Sequence, residues 1–201
     1  MSTKMERLFS SDPPKRPIED LDSLVDDWIN RFGSNGTHKY MRDEVVEFCA
    51  AAHSLEAAIE RACNSRRPSG KIHNHQSRVK ESARMQFAKR IISDLQSWII
   101  QDFDDLHDAL ETIAPDGIGP VTVYDVATRI AAYLKLEPTS LYLHAGVRIG
   151  WHKLHDSRHY PEVNGRVPRD MLPPALQRIP TDEVEDMICA YKEYLGPWLK
   201  K

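Results

Sequence analysis

Residues 113–134 read IAPDGIGPVTVYDVATRIAAYL, and the centre of the stretch is Gly117-Ile118-Gly119-Pro120. Leu106, Leu110 and Ile113 precede it at helical spacing, and Val123, Val126, Ala127, Ile130 and Leu134 follow as an apolar stripe. The pattern predicts two helices meeting at a tight turn. Gly117 and Gly119 allow positive φ or close backbone approach, and Pro120 suits the first turn of the second helix. The first N–H groups of that helix lack intrahelical partners, and the helix dipole adds partial positive charge there. Gly119, Val121 and Thr122 are therefore candidate donors to a phosphate, held without base readout. The plain alternative is an αα-hairpin whose glycines serve the turn alone. Asp102, Asp104, Asp105, Asp108, Glu111 and Asp116 favour that alternative, because they repel a polyanion.

The stretch 104–134 resembles a helix-hairpin-helix motif, the element with which many DNA repair and recombination proteins grip a phosphate backbone. Ile113, Gly117-Ile118-Gly119, Thr122-Val123 and Val126 occupy the places of the family pattern. Pro115-Asp116 lengthens the approach to the turn, and Val121 stands where many such motifs carry Lys or another polar residue. The resemblance implies DNA binding, shared with small uncharacterised bacterial proteins of this hairpin type. Val123-Tyr124-Asp125 followed by Arg129-Ile130 is also loosely similar to the Val-Asp and Arg-apolar segments of helix-hairpin-helix glycosylases. In those enzymes the Asp lies beyond the second hairpin helix, whereas Asp125 lies within it, and the lyase Lys has no counterpart here. Asp125 is thus a catalytic candidate. Read from spacing alone, Asp125 and Arg129 are an i, i+4 surface ion pair.

Upstream of the hairpin the charge is segregated. Residues 61–90 hold nine Lys and Arg against Glu81 alone, a net +8, while the whole chain carries −3 and the remainder therefore −11. A local positive field of this kind can attract phosphate even on an acidic protein. Ser65 to His75, SRRPSGKIHNH, reads as a loop, followed by a helix from about Gln76 to Ile100. Its apolar face is Val79, Ala83, Phe87, Ile91, Leu95, Trp98 and Ile99; its polar face is Arg78, Arg84, Lys89 and Arg90. Arg66, Arg67, Lys71, His73, His75, Arg78 and Arg84 are expected to share one exposed phosphate-binding face with the hairpin donors. His73 and His75 are also weak candidates for a general acid or base. A metal at that loop needs further ligands; His53 is one candidate, and no spacing demands it, so no metal or cofactor is expected. The same holds for His152, His155 and His159 with Asp156. A solvated loop remains the bland alternative.

The rest of the chain continues the helical pattern. Residues 1–19 read as a flexible N-terminal arm, and 20–201 as one all-α domain of about seven to nine helices. Asp20 or Asp22 caps a first helix ending near Phe32; Gly33-Ser34-Asn35-Gly36 breaks the chain; a second helix spans about Lys39 to Ala52. Ser54 is the N-cap of a third helix through Asn64. Ser140–His144 reads as a short turn or helix placing Leu141, Tyr142 and Leu143 under the hairpin, and Gly146–His155 as another short helix. Gly146 either serves close helix packing or helps present His144 and Arg148 to the hairpin groove. Residues 155–172 read as an irregular excursion. Thr181 is expected to cap a last helix to Leu195, with Trp198 docking the C-terminus.

No apolar run approaches the ~20 residues of a membrane span, and the N-terminus carries no apolar signal core. Cys49, Cys63 and Cys189 form no CxxC and read as reduced thiols of a cytoplasmic protein. Phosphate loops and GxSxG elbows are absent, which disfavours NTP-driven chemistry and acyl hydrolysis. The expected function is sequence-independent binding of DNA or RNA. The alternatives are a DNA-repair-type enzyme and a protein-interaction domain using the acidic hairpin.

Overall fold

A computed structural model describes residues 19–32, 44–154 and 165–195. Among them the secondary structure is eight α-helices and one two-stranded sheet. The helices are α1 Leu21–Phe32, α2 Glu44–Ala50, α3 Leu55–Asn64, α4 Glu81–Asp94, α5 Phe103–Ile113, α6 Pro120–Leu134, α7 Ala145–Leu154 and α8 Thr181–Tyr191. The strands are β1 Ser140–Tyr142 and β2 Arg166–Pro168. The mostly helical class expected from periodicity is the class observed. None of these helices is long and apolar enough to cross a membrane. The N-terminal arm, the Gly33–Gly36 break, the start of the helix expected from Lys39, and Trp198 lie outside the described residues.

The chain divides into two compact units, 41–139 and 1–40 with 140–201. In the first, α6 is the hub and packs against α2, α3 and α5. Val123, Tyr124, Val126, Ala127, Ile130 and Ala131 supply its buried apolar surface. Thr122 and Arg129 are buried on the same helix, so α6 is enclosed on more than the expected stripe. Ser54 caps α3 as its sequence predicts: its Oγ accepts from the Ala57 N–H at 3.2 Å. The second hairpin helix starts at Pro120, also as expected. Within the turn, Ile113 and Ile118 are half-buried.

The helix expected over 76–100 is shorter at both ends. A 3-10 turn, Asn74–Gln76, precedes it, and Lys80 at its N-cap has extended backbone. Gln76 is fully buried by turning inward, which removes it from a helical start. At the far end a 3-10 turn, Leu95–Ser97, leads to Trp98 in extended conformation, and Ile99 is 82% exposed. The spacing of Trp98 and Ile99 thus mimicked a helical face, but Trp98 is half-buried from extended backbone and Ile99 is exposed.

In the second unit, Asp20 caps α1 by accepting from the Ser23 N–H at 2.7 Å. The core draws on Leu24, Val25, Trp28, Leu141, Val147 and Trp151, with Val184, Met187 and Ile188 of α8. Leu141 and Leu143, expected to pack under the hairpin, are instead part of this unit's own core. Ser140–Tyr142 is a strand, antiparallel to β2 with Leu141 opposite Val167. All three of its residues are buried, so no alternation announced it. Helix α7 lies close on α8: a Cβ on Gly146 would stand 2.8 Å from Cys189 Sγ, and one on Gly150 2.9 Å from the Ile188 carbonyl. Close packing is therefore what Gly146 serves. Thr181 does not cap α8 but begins it; its buried Oγ1 accepts from Arg169 at 3.0 Å.

Candidate functional site

Both features singled out by sequence, the hairpin turn and the basic segment, fall in the 41–139 unit. The Ile118 N–H donates to the Pro115 carbonyl at 3.0 Å, and Gly117 adopts φ +88, which favours glycine. Gly119 is the N-cap of α6 with φ −92 and no side-chain cap, so its conformation does not require glycine. A Cβ there would meet no protein atom within 4 Å, which leaves the end of α6 open to an approaching group. The Thr122 N–H is committed to the Gly119 carbonyl at 2.9 Å, and its residue is buried. Thr122 is thereby corrected as a donor to an outside phosphate, because the helix turn consumes its hydrogen bond.

One cation, Arg90, reaches this turn from α4. Arg90 donates to the Ile113 carbonyl at 3.0 Å, covering the C-terminal end of α5. Gly117 faces Ala83, whose Cβ stands 3.9 Å from where a Gly117 Cβ would be. Part of the acidic cluster serves the opposite end of α5: Asp102 accepts from the Asp105 N–H at 2.9 Å, and Asp105 from the Gln101 N–H at 3.0 Å. Eleven residues of α5 separate that end from the turn, a length of about 16 Å against a screening length of about 8–10 Å. Repulsion from Asp102, Asp104 and Asp105 is therefore weak at the turn. Glu111, exposed in the last turn of α5, and Asp116, exposed within the hairpin turn, remain close, and Asp108 lies between.

In the basic segment, Arg66 bonds the Gly70 carbonyl at 3.0 Å and pairs with Glu81 at 3.4 Å. Lys71, His75 and Arg78 are exposed; Arg66, Arg67 and His73 are half-buried. Arg84 departs from the expected polar face. It is 2% exposed, and its guanidinium donates to the Asn64 carbonyl at 2.8 Å, closing the end of α3. Burial lowers its pKa. A buried arginine serving a helix end cannot present its charge to a polyanion.

The most organised polar group is one the sequence did not assemble. Arg129 is fully buried, and its Nη1 donates to the Ala62 carbonyl at 3.2 Å and to Ser65 Oγ at 2.8 Å. Its Nη2 donates to Gln76 Oε1 at 3.1 Å. Gln76 Nε2 donates in turn to Asp125 Oδ2. His73 Nδ1 lies 3.2 Å from Gln76 Oε1, and His75 Nδ1 lies 3.4 Å from Asp125 Oδ2. The two imidazole rings stand edge-on, with centroids 4.9 Å apart. Asp125 and Arg129 are thus part of a shared network 3.9 Å apart, and not a surface pair. Burial alone would raise the Asp125 carboxyl. The hydrogen bond and charge of His75, the Arg129 charge and the bond from Gln76 outweigh it and bring the carboxyl down to about 2.

The three weak catalytic candidates, His73, His75 and Asp125, therefore come together, while His53 stays outside the group. Gln76 closes the sequence cluster Lys71–Gln76 but was expected at the start of a helix, and its bonds to Arg129 and Asp125 were not legible there. Arg129 carried a faint signal, a charge immediately before Ile130 on a helix apolar on most sides. His152 lies near the end of α7, and His155, Asp156 and His159 lie outside the described residues. Neither a family model, nor a curated protein, nor a solved structure matches the chain.

Proposed function

We propose that the 41–139 unit binds nucleic acid through its phosphate backbone, without reading base sequence. The observation that carries this reading is the open, uncapped N-terminus of α6, with helix α4 of the basic segment reaching the preceding turn through Ala83 and Arg90. With Thr122 committed and Pro120 lacking an N–H, the donors left for a phosphate are the N–H groups of Gly119 and Val121, and Arg90 sits at the end of α5 on the other side of the same turn. A helix N-terminus attracts anions, and neighbouring cations offset the remaining acidic groups. The resemblance to the helix-hairpin-helix motif supports the same reading.

The test is retention of duplex and single-stranded DNA and of RNA by the full chain, measured against salt. Binding should fall linearly on a logarithmic plot as counterions are released. Charge reversal at Arg66 and Arg67 should weaken every sequence alike and reduce the salt slope by about 2. Gly119→Leu should weaken binding without unfolding the turn, because the backbone at 119 suits any residue; circular dichroism checks this. Absence of retention at about 50 mM salt, which favours phosphate contacts, overturns the reading. The acidic surface of α5 is then better explained as a protein-contact face.

A further inference from the structure

We propose that His73, His75 and Asp125 form a binding site for one divalent transition-metal ion of the zinc class. One ligand atom from each of the three residues lies within 4.8 Å of the others. Tetrahedral ligation at about 2.0–2.2 Å places ligand atoms about 3.4 Å apart, so closure by up to about 1.4 Å brings the three to ligating distance and leaves a fourth position to solvent. His75 can supply that movement, because its side chain is 55% exposed.

The surrounding bonds prepare the ligands. A guanidinium only donates, so Arg129 orients the Gln76 amide with Oε1 toward itself and Nε2 toward Asp125. Oε1 can then only accept from His73, which puts the hydrogen on Nδ1 and the lone pair on Nε2. A metal-binding histidine commonly has this arrangement, its second nitrogen donating to a fixed acceptor. The support is rigid, since Gln76 and Arg129 are fully buried and Asp125 projects from the hub helix. Arg129 opposes a cation electrostatically, but it holds Asp125 from the buried side, whereas His75 meets the same carboxylate near solvent. Two imidazoles and a single carboxylate suit zinc, cobalt, nickel or iron; calcium and magnesium demand more oxygen ligands.

The experiment uses tag-free full-length protein, stripped with chelator and titrated with Zn2+ by calorimetry and with Co2+ by visible absorption. One ion per chain and a cobalt ligand-field spectrum are expected. His75→Ala should keep the fold, by circular dichroism, and lose at least about tenfold in affinity. His73→Ala and Asp125→Asn should do the same where they fold. Absence of saturable Zn2+ heat and of the cobalt spectrum overturns the proposal. So does undiminished binding by His75→Ala, which would place the metal elsewhere. Nucleic-acid retention measured in chelator is a separate readout, so either reading can fail alone.

Discussion

Two helices carry an aspartate four residues before an arginine: Asp27–Arg31 on α1 and Asp125–Arg129 on α6. The spacing is that of a solvent-facing ion pair, yet both arginines are buried. On α1 the network closes on itself among the described residues. Asp27 is 3% exposed, 3.6 Å from Arg31, and accepts from the Tyr191 hydroxyl at 2.5 Å. That hydroxyl accepts from Arg31 at 3.0 Å, and the guanidinium lies over the Phe32 and Tyr191 rings. Burial and the adjacent Asp27 push the Tyr191 phenol up. On α6 the corresponding network runs outward, from Arg129 through Gln76 to Asp125 and the two histidines. A closed network spends its polar groups on one another, which suits a structural role. An open one delivers a buried charge to groups at the surface, where a ligand can meet them.

The largest expected effect breaks the closed network. Arg31→Met leaves Asp27 buried and charged with the neutral Tyr191 hydroxyl in place of its counter-ion, which should cost about 3–5 kcal/mol in urea unfolding. Arg129→Met should cost less, because solvent reaches Asp125 and His75 remains its partner. An equal or larger loss at Arg129 would erase the distinction between open and closed.

The second effect is pH-dependent. The folded Asp125 carboxyl titrates at about 2 against an ordinary 3.8, so it contributes stability above about pH 4 that disappears as pH falls toward 2. The difference corresponds to about 2 kcal/mol. Asp125→Asn should flatten that part of the acid unfolding curve; an unchanged slope would show that His75 and Arg129 do not hold the carboxylate ionised.

The smallest effects compare the outermost member of each network. Tyr191→Phe keeps the ring and removes the hydroxyl, leaving a buried carboxylate short of a donor at a cost of about 1–3 kcal/mol. His75→Ala, at an exposed position, should change stability by less than about 0.5 kcal/mol. A large loss for His75→Ala would make the histidine a structural member of the network.

Much of the fold follows from local chemistry. Ser54 and Asp20 cap because a short side-chain oxygen reaches an orphan N–H two or three residues on. Pro120 opens α6 because it has no N–H to lose and its φ is preset. The hairpin's helices were legible for the same reason, since apolar spacing and glycine placement act within a few residues. Where an element depends on distant partners, the local signal fails. Strand β1 forms because β2, beginning 24 residues after its end, pairs with it. The helix after His75 starts late because Gln76 is drawn inward by Asp125 and Arg129.

The site divides along the same line. The amino-acid sequence alone determined that His73 and His75 lie in a basic loop and that a glycine turn opens a helix carrying Asp125. It also determined that charge is concentrated between 61 and 90. Tertiary structure alone decided that Asp125, about fifty residues away, completes a group with those histidines, and that Arg84 and Arg129 are spent inside the protein. The reason is physical. Periodicity and capping are properties of neighbours in the chain, whereas the burial of a charge depends on which donors and acceptors packing brings to it from other elements.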